Sequence, residues 1–236
     1  MTLSEALLKW FDISKRKLPF RDINNPYKIW VSEIMLQQTK VNTMIPYYNN
    51  WITKFPNISS VAKSTQDEVL KYWEGLGYYS RCRNFYNAAK IVREKFNSIV
   101  PNNWSDFRAL PGVGDYTSGA VLSIAFNKPY IALDGNVKRV MARLTGKLHM
   151  TKYNINLIKS KLYKLMDYKR PGDFNQALME LGACVCLPKS PLCLKCPINS
   201  YCKAYKSGNP LDYPKKIIKN KVPTYIYVGG IIKGDN

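Results

Sequence analysis

A short turn between two helix-forming segments is the feature that most restricts how this chain folds. Residues 110–120 read LPGVGDYTSGA, with Pro111 fixing the approach and Gly112 and Gly114 removing side chains from the turn. The next helix would present free backbone amides beside this turn, and such amides bind phosphate oxygens. A bare Gly-x-Gly is often a simple turn, and no Gly-Lys-Ser/Thr follows to make a P-loop. The whole pattern favours a grip on a phosphate backbone that reads no base sequence.

Helical signals dominate the rest of the chain. Capping residues, helix-starting prolines and apolar positions three and four residues apart predict helices that begin near Thr2, Pro26, Val41, Ser64, Arg81, Trp104, Tyr116, Asn136, Asn154 and Asp173. Strand-like alternation occurs only at 225–232, after a Pro- and Lys-rich segment at 209–223 that predicts a linker. We therefore predict an all-α fold class.

The charge of the chain indicates a polyanionic partner. There are 36 Lys and Arg against 16 Asp and Glu, a formal net charge of +20, and the basic residues are spread along the whole sequence. Neutralising phosphates releases counterions, so such an excess favours nucleic acid bound on a folded surface. The sequence contains no run of about 18 apolar residues and no secretory signal. We expect a cytoplasmic, nucleoid-associated monomer with no membrane contact.

Four cysteines near the C-terminus predict a metal centre. Cys186, Cys193, Cys196 and Cys202 are spaced C-x6-C-x2-C-x5-C, so their thiolates can surround one centre. Both zinc and an iron–sulfur cluster accept four cysteines. Zinc sites more often pair two short C-x2-C units, so the single short gap favours the cluster, although spacing alone leaves zinc open.

Two carboxylates stand out in a chain poor in acids. Glu33 lies within an otherwise apolar helical segment, and Asp134 lies at the start of a predicted helix. A buried Glu has a raised pKa and can act as an acid, whereas an Asp that caps a helix stays ionised. Carboxylates divided in this way cleave glycosidic bonds. Taken singly, a helix cap and a hydrogen-bonded helix Glu are the simpler interpretations.

These features occur in one order that is known from a protein family. The glycine turn, the Asp twenty residues after Gly114 and the four-cysteine loop resemble the helix-hairpin-helix DNA glycosylases of the endonuclease III superfamily. Within it, SEIMLQQT, GLGYYSR, LPGVGDYTSGA, LDGNVKRV and FNQALMELGACVC look like the MutY-type adenine glycosylases. The match runs from about residue 9 to residue 214.

The resemblance implies a domain organisation. Residues 1–22 with 134–206, and residues 23–133, would form two helical subdomains on either side of a DNA cleft. Residues 207–236 would be a linker and the first strand of a C-terminal Nudix-like domain that is otherwise missing from this sequence.

The resemblance also implies a reaction. Adenine mispaired with 8-oxoguanine or guanine would be flipped out of double-stranded DNA and removed by hydrolysis of its N-glycosidic bond. Glu33 would protonate the adenine, Asp134 would stabilise positive charge on the sugar, and Asn136 would support this site. Strand-cleaving members carry a lysine at the position of Tyr116, so Tyr116 implies a glycosylase that does not cut the strand.

Further residues take roles from the matched motifs. Gln38 and Tyr78 would wedge into the base stack, and Lys138 would meet phosphates. The adenine pocket would be formed by Arg16, Leu18, Arg21, Gln176 and Phe20, the last where the family usually has Trp. Gly112 and Gly114 would form the DNA-binding hairpin, with a monovalent cation on its carbonyls. The four cysteines would hold a 4Fe–4S cluster.

Two other functions remain compatible with these motifs. A mismatch thymine or uracil glycosylase of the same superfamily shares the hairpin and cysteine loop, but SEIMLQQT and Gln176 favour adenine. An iron–sulfur DNA-binding module without catalytic activity is disfavoured because both Glu33 and Asp134 are present.

Overall fold

The computed structural model describes residues 1–215 and Gly229. Within this part the regular structure is entirely helical, which confirms the predicted all-α class. The α-helices are α1 (Leu3–Ser14), α2 (Pro26–Leu36), α3 (Val41–Lys54), α4 (Ile58–Lys63), α5 (Gln66–Lys71), α6 (Ser80–Lys95), α7 (Trp104–Arg108), α8 (Asp115–Phe126), α9 (Gly135–Thr145), α10 (Lys152–Leu165), α11 (Pro171–Cys184) and α12 (Lys203–Lys206). The predicted strand at 225–232 lies outside the described residues, apart from Gly229. Of the helices described, none has the length and apolarity that a bilayer crossing requires.

Local capping explains where several helices begin. The Thr2 hydroxyl accepts from the Glu5 amide at 3.2 Å, and the Glu5 carboxylate accepts from the Thr2 amide at 2.8 Å, which forms the predicted capping box. Asn25 caps α2 immediately before Pro26, and it accepts from the Lys28 amide at 3.0 Å. These short-range signals set the helix starts as the sequence indicates.

The region before Gly75 differs from the prediction. A helix beginning at Ser64 and ending near Gly75 was predicted, and α5 begins there, at Gln66 under a Thr65 cap, but ends at Lys71. The helix just before it, α4, was not predicted. Each of the two helices has six residues, so neither is long enough to show a helical period in the sequence.

The buried apolar residues form two clusters. The first lies among α2 to α8 and includes the fully buried Trp30, Trp51 and Trp73. The second joins α1 to α9, α10 and α11 and includes Phe11 and Phe174. Since α8 and α11 pack against each other, the two clusters meet between these helices.

An irregular segment at 128–134 runs between α8 and α9 and is held by contacts to α11 and α8. Asn175 on α11, which is fully buried, accepts from the Ala132 amide at 3.1 Å and donates to the Tyr130 carbonyl at 2.8 Å. On the other side, Gly119 brings the α8 backbone so close that a Cβ there would lie 2.1 Å from the Ile131 carbonyl oxygen. These contacts fix the chain just before Asp134.

We expect Gly119→Ala to lower the free energy of unfolding, although alanine favours a helix intrinsically. Its methyl group overlaps the backbone at Ile131, and overpacking of this kind costs roughly 1–3 kcal/mol. Gly135→Ala is the matched control because a Cβ at Gly135 meets nothing within 4 Å. Urea denaturation measures both variants. A Gly119→Ala protein as stable as the parent would contradict the close approach.

Candidate active site

One cavity of about 190 Å³ collects most of the predicted site residues. Residues from α2, α8, α9 and α11 line it, together with residues from the segment after α1. The predicted residues that it brings together are Arg16, Leu18, Phe20, Arg21, Glu33, Tyr116, Asp134, Asn136 and Gln176. Pockets for drug-sized ligands span roughly 300–1,000 Å³, so this cavity suits a smaller group.

Glu33 is a buried carboxyl, and one side chain among the described residues donates a hydrogen bond to it. The residue is 7% exposed, and the Tyr116 hydroxyl donates to its Oε2 at 2.6 Å. Burial raises the pKa of Glu33 to about 7, and the charge of Asp134 adds to this, while the Tyr116 hydrogen bond and Arg21 act in the opposite direction. Glu33 can therefore hold a transferable proton near neutral pH.

Asp134 is in a different environment. It is the N-cap of α9, where one carboxylate oxygen accepts from the Val137 amide at 2.6 Å. The other oxygen accepts from the side-chain Nδ2 of Asn136 at 2.9 Å. The positive end of the α9 dipole and these two donors favour the negative charge. The cavity thus holds one carboxyl suited to giving a proton and one carboxylate suited to stabilising positive charge.

Tyr116 stays protonated and donates a hydrogen bond to Glu33. Burial and the adjacent Glu33 raise the pKa of the Tyr116 hydroxyl well above its usual value. Its oxygen also lies 3.8 Å from the Met179 sulfur. The phenol therefore orients the Glu33 carboxyl and does not ionise near neutral pH.

Glu180 is a cavity residue that the sequence analysis missed. It is 2% exposed and accepts from Arg16 Nε at 2.7 Å, Arg16 Nη2 at 2.8 Å and Arg21 Nη2 at 3.0 Å. Burial alone would raise the pKa of Glu180, but these hydrogen bonds lower it to about 2. One sequence signal pointed to it: Glu180 follows Gln176 by four residues and so shares its face of α11.

The predicted wedge residues lie outside the cavity. Gln38 follows α2 and Tyr78 precedes α6, and both side chains are exposed. Lys138 also lies outside, between two neighbouring clefts on either side of α9.

The glycine turn connects α7 to α8. Leu110 and Val113 are buried in the first core cluster and anchor the turn, and Gly112 adopts a φ of +75°. A Cβ at Gly112 would lie 2.8 Å from the Cβ of Asn84, so that position also lacks space for a side chain. Arg108 Nη1 donates to the Val113 carbonyl at 2.9 Å, so a positive group already occupies one carbonyl of the turn.

The four predicted ligand cysteines line a second, apolar cavity. Cys186, Cys193, Cys196 and Cys202 are all partly buried there. Burial raises the pKa of Cys196 to about 12. Among the residues described, His, Cys, Asp and Glu side chains nowhere form a group of three around a point, as a single metal ion requires.

Two arginines, the buried Arg143 and the half-buried Arg139, connect this cysteine cavity to the active-site cavity. Arg143, 3% exposed, donates from Nη1 to Cys186 Sγ at 3.3 Å and to the Leu187 carbonyl at 2.7 Å. Arg139 donates to the Cys186 carbonyl at 2.9 Å and to Asn136 Oδ1 at 2.8 Å. Because Asn136 in turn donates to Asp134, the orientation of that carboxylate depends on how the cysteine loop is placed.

Known proteins share these motifs and this architecture. Residues 31–160 match the family described as HhH-GPD superfamily base excision DNA repair protein. The chain is 42% identical over 235 residues to the adenine DNA glycosylase of Buchnera aphidicola from Schizaphis graminum, covering 95% of this chain and 67% of that protein. It is 43% identical over 211 residues to the mouse adenine DNA glycosylase, covering 85% of this chain and 41% of the mouse protein. The chain thus spans about two thirds of the bacterial relative and less than half of the mouse relative.

Solved structures show the same fold. A thermostable thymine-DNA glycosylase superposes with a TM-score of 0.80 at 28% identity, covering 86% of this chain and 95% of that one. A trapped endonuclease III–DNA covalent intermediate superposes with a TM-score of 0.72 at 22% identity, covering 87% and 94%. The predicted superfamily is confirmed: the chain belongs to the HhH-GPD superfamily of base excision DNA repair proteins and, within it, to the family of the adenine DNA glycosylases.

Proposed function

We propose that this chain removes adenine mispaired with 8-oxoguanine or guanine from double-stranded DNA. The observation that carries the proposal is the pair of unlike carboxyl groups, Glu33 and Asp134, in one cavity of single-base size. Family membership supports the reaction class, and the relatives named adenine DNA glycosylase support the substrate base.

In this proposal the reaction begins with proton transfer. Adenine bound in the cavity accepts a proton from Glu33 on a nitrogen of its five-membered ring, and the base becomes a neutral leaving group. The bond between sugar and base then breaks towards an oxocarbenium-like state, whose charge Asp134 stabilises. Asn136 and the α9 N-terminus hold Asp134 in place. The ionised Glu33 can next accept a proton from the attacking water, so one residue serves both steps.

The base-binding wall is polar and fixed before DNA arrives. Glu180 ties Arg16 and Arg21 together, while the side-chain amide of Gln176 lines the cavity and can accept a hydrogen bond from the amino group of adenine. Leu18 and Phe20 supply apolar surface against the base. Phe20 packs edge-on to Tyr48 at 5.6 Å between ring centroids, which supports its use as a stacking platform in place of a tryptophan.

DNA binding is assigned to the hairpin and to basic residues around the cleft. The backbone amides of the turn at Gly112 and Gly114 would grip a phosphate, and Lys138 would meet another. Gln38 and Tyr78, both exposed, would fill the gap left by the flipped base. The protein would act as a monomer on the DNA of its nucleoid. The cation predicted on the hairpin carbonyls has weaker support, because Arg108 already binds the Val113 carbonyl.

The two core clusters support the predicted division into two helical subdomains, 1–22 with 134–206 and 23–133. The active-site cavity takes lining residues from both. DNA bound across this junction would contact the hairpin of one subdomain and α9 of the other.

The cysteine cavity fits a 4Fe–4S cluster held by Cys186, Cys193, Cys196 and Cys202. The four cysteines line one apolar cavity, and their single C-x2-C gap favours a cluster over one zinc ion. The buried Arg143 guanidinium would balance the negative charge of thiolate ligands. A bound cluster would supply cross-linking of the 186–202 loop, and the bond cleavage itself would need only Glu33 and Asp134.

The Tyr116 phenol supports a glycosylase that leaves an abasic site uncut. A strand-cleaving mechanism needs an amine that attacks the sugar and forms a Schiff base. Tyr116 has no amine, and its hydroxyl is engaged by Glu33.

Single-turnover excision tests the proposal directly. We expect the protein to release adenine opposite 8-oxoguanine or guanine, and Asp134→Asn to lose at least about 100-fold in rate, the scale for loss of one charge-stabilising contact. Asp67→Asn, an exposed acid on α5, is the matched control and should be unaffected. Gel-shift titration should show DNA binding retained. Release of thymine opposite guanine in preference to adenine would overturn the substrate assignment.

The pH dependence of excision tests the role of Glu33. Because the protonated form acts, the rate should fall as pH rises through about 7. Tyr116→Phe removes a hydrogen bond that favours the carboxylate, so the pKa of Glu33 should rise and the alkaline limb should move to higher pH. Tyr153→Phe, at 71% exposed, serves as control. An unmoved or lowered limb in Tyr116→Phe would be inconsistent with this assignment.

The cofactor assignment is tested by spectroscopy. We expect protein purified without oxygen to absorb broadly at about 400 nm and to contain about four iron atoms per chain. Cys196→Ser should lose the band, whereas Cys184→Ser should keep it, because Cys184 does not line the cysteine cavity. Stoichiometric zinc without the band would refute the cluster.

A further inference from the structure

The two exposed wedge residues share a strained backbone conformation. Gln38 has a φ of +57° and Tyr78 a φ of +48°. Residues with side chains rarely occupy this left-handed region, and they persist there only where the surroundings hold them. Both positions belong to short loops, one after α2 and one before α6. The contacts that hold these two loops therefore also determine the positions of the Gln38 and Tyr78 side chains.

One guanidinium, that of Arg81 on α6, binds both loops. Its Nη1 donates to the carbonyls of Ile34 and Met35, each at 3.0 Å, and to that of Gln37. These carbonyls belong to the end of α2, where helical partners run out. Its Nη2 donates to the carbonyls of Gly77 at 3.1 Å and Leu76 at 3.3 Å. The residue before Gln38 and the residue before Tyr78 are thus bonded to the same planar group.

Aromatic rings hold that guanidinium in turn. Its central carbon lies 5.2 Å from the Trp73 ring centroid and 5.4 Å from that of Tyr78. Trp73 also donates from its indole nitrogen to the Gly77 carbonyl at 3.0 Å. Tyr78 remains 58% exposed above this support. The Tyr78 ring therefore packs on the Arg81 side chain, which also binds the backbone just before Tyr78.

We propose that Arg81 is the positioning residue that sets the two wedge loops at one fixed separation, so that Gln38 and Tyr78 enter the base stack together. The inference rests on the proposed function, because it concerns how the target base is displaced before Glu33 acts. A lysine could not replace Arg81, since an ammonium has three donors and cannot span two sets of carbonyls as a planar fork does. Arg81 itself touches neither the base nor the sugar.

The test separates displacement of the base from its excision. Arg81→Met removes every donor and keeps the length of the side chain. Arg93→Met is the matched control, because Arg93 is an exposed arginine on the same helix. Two duplexes are compared in single-turnover assays. In one the adenine is paired with 8-oxoguanine, and in the other it faces a tetrahydrofuran abasic analogue and is already unpaired.

We expect Arg81→Met to lose about 10- to 100-fold on the paired adenine, the scale of a misplaced positioning group, and much less on the unpaired adenine. The pH dependence of the excision rate, which reports the pKa of Glu33, should not change. Arg81→Lys should also lose more rate on the paired adenine than on the unpaired one, but to a smaller degree. It replaces Arg81→Met in the test if that variant does not fold. Arg93→Met should match the parent on both duplexes.

Equal losses on the two duplexes, or no loss on either, would overturn the role of Arg81. A shift in the pH profile would also overturn it, since Arg81 would then act through α2 and Glu33. These outcomes are distinct from failure of the proposed function, in which the parent protein itself would leave adenine in place on both duplexes.

Discussion

The arrangement of this molecule depends on placing one carboxyl group where water cannot stabilise its charge. Glu33 lies in an apolar helix packed against α8, and its single donor within the cavity is the phenol of Tyr116. A second, fully charged donor would favour the ionised form of Glu33 and so remove the proton that the proposed reaction uses. The nearby arginines are instead tied to Glu180, so the cavity contains positive side chains without ionising Glu33. Glu180 thus pairs with the charges of Arg16 and Arg21, so these arginines can line the cavity while Glu33 keeps its proton.

The parts predictable from sequence were those with local causes. Helix caps at Thr2 and Asn25 depend on contacts three residues apart, so the sequence contains them. Glu33 and Asp134 are a hundred residues apart in the chain, and only the order of several motifs indicated that they share a cavity. That shared cavity is found, while the chemical roles of its residues stay predictions until activity is measured.

Arginines that bind backbone carbonyls could not be identified from the sequence, because the bonded groups do not depend on which residues supply them. Arg81 binds backbone carbonyls, and any residue supplies a carbonyl. Arg143 does the same at the cysteine loop. The helix α4 was not predicted, because a helix of six residues is too short to show a helical period in the sequence. The net charge of +20 was also an incomplete guide, because Arg81, Arg139 and Arg143 are used inside the protein and are not wholly available to phosphates.

The close packing of α11 on α9 has a consequence for the energetics of turnover. A Cβ at Gly182 would lie 2.6 Å from that of Asn136, so the two helices meet without intervening side chains. Asn136 is held by this contact and by hydrogen bonds with Arg139 and Asp134. In the proposed reaction, the dipoles that would face the developing sugar charge are therefore already oriented when the chain folds. Little reorganisation of the protein remains for the moment of bond cleavage, and water, which would have to reorient, is replaced by a fixed electrostatic environment.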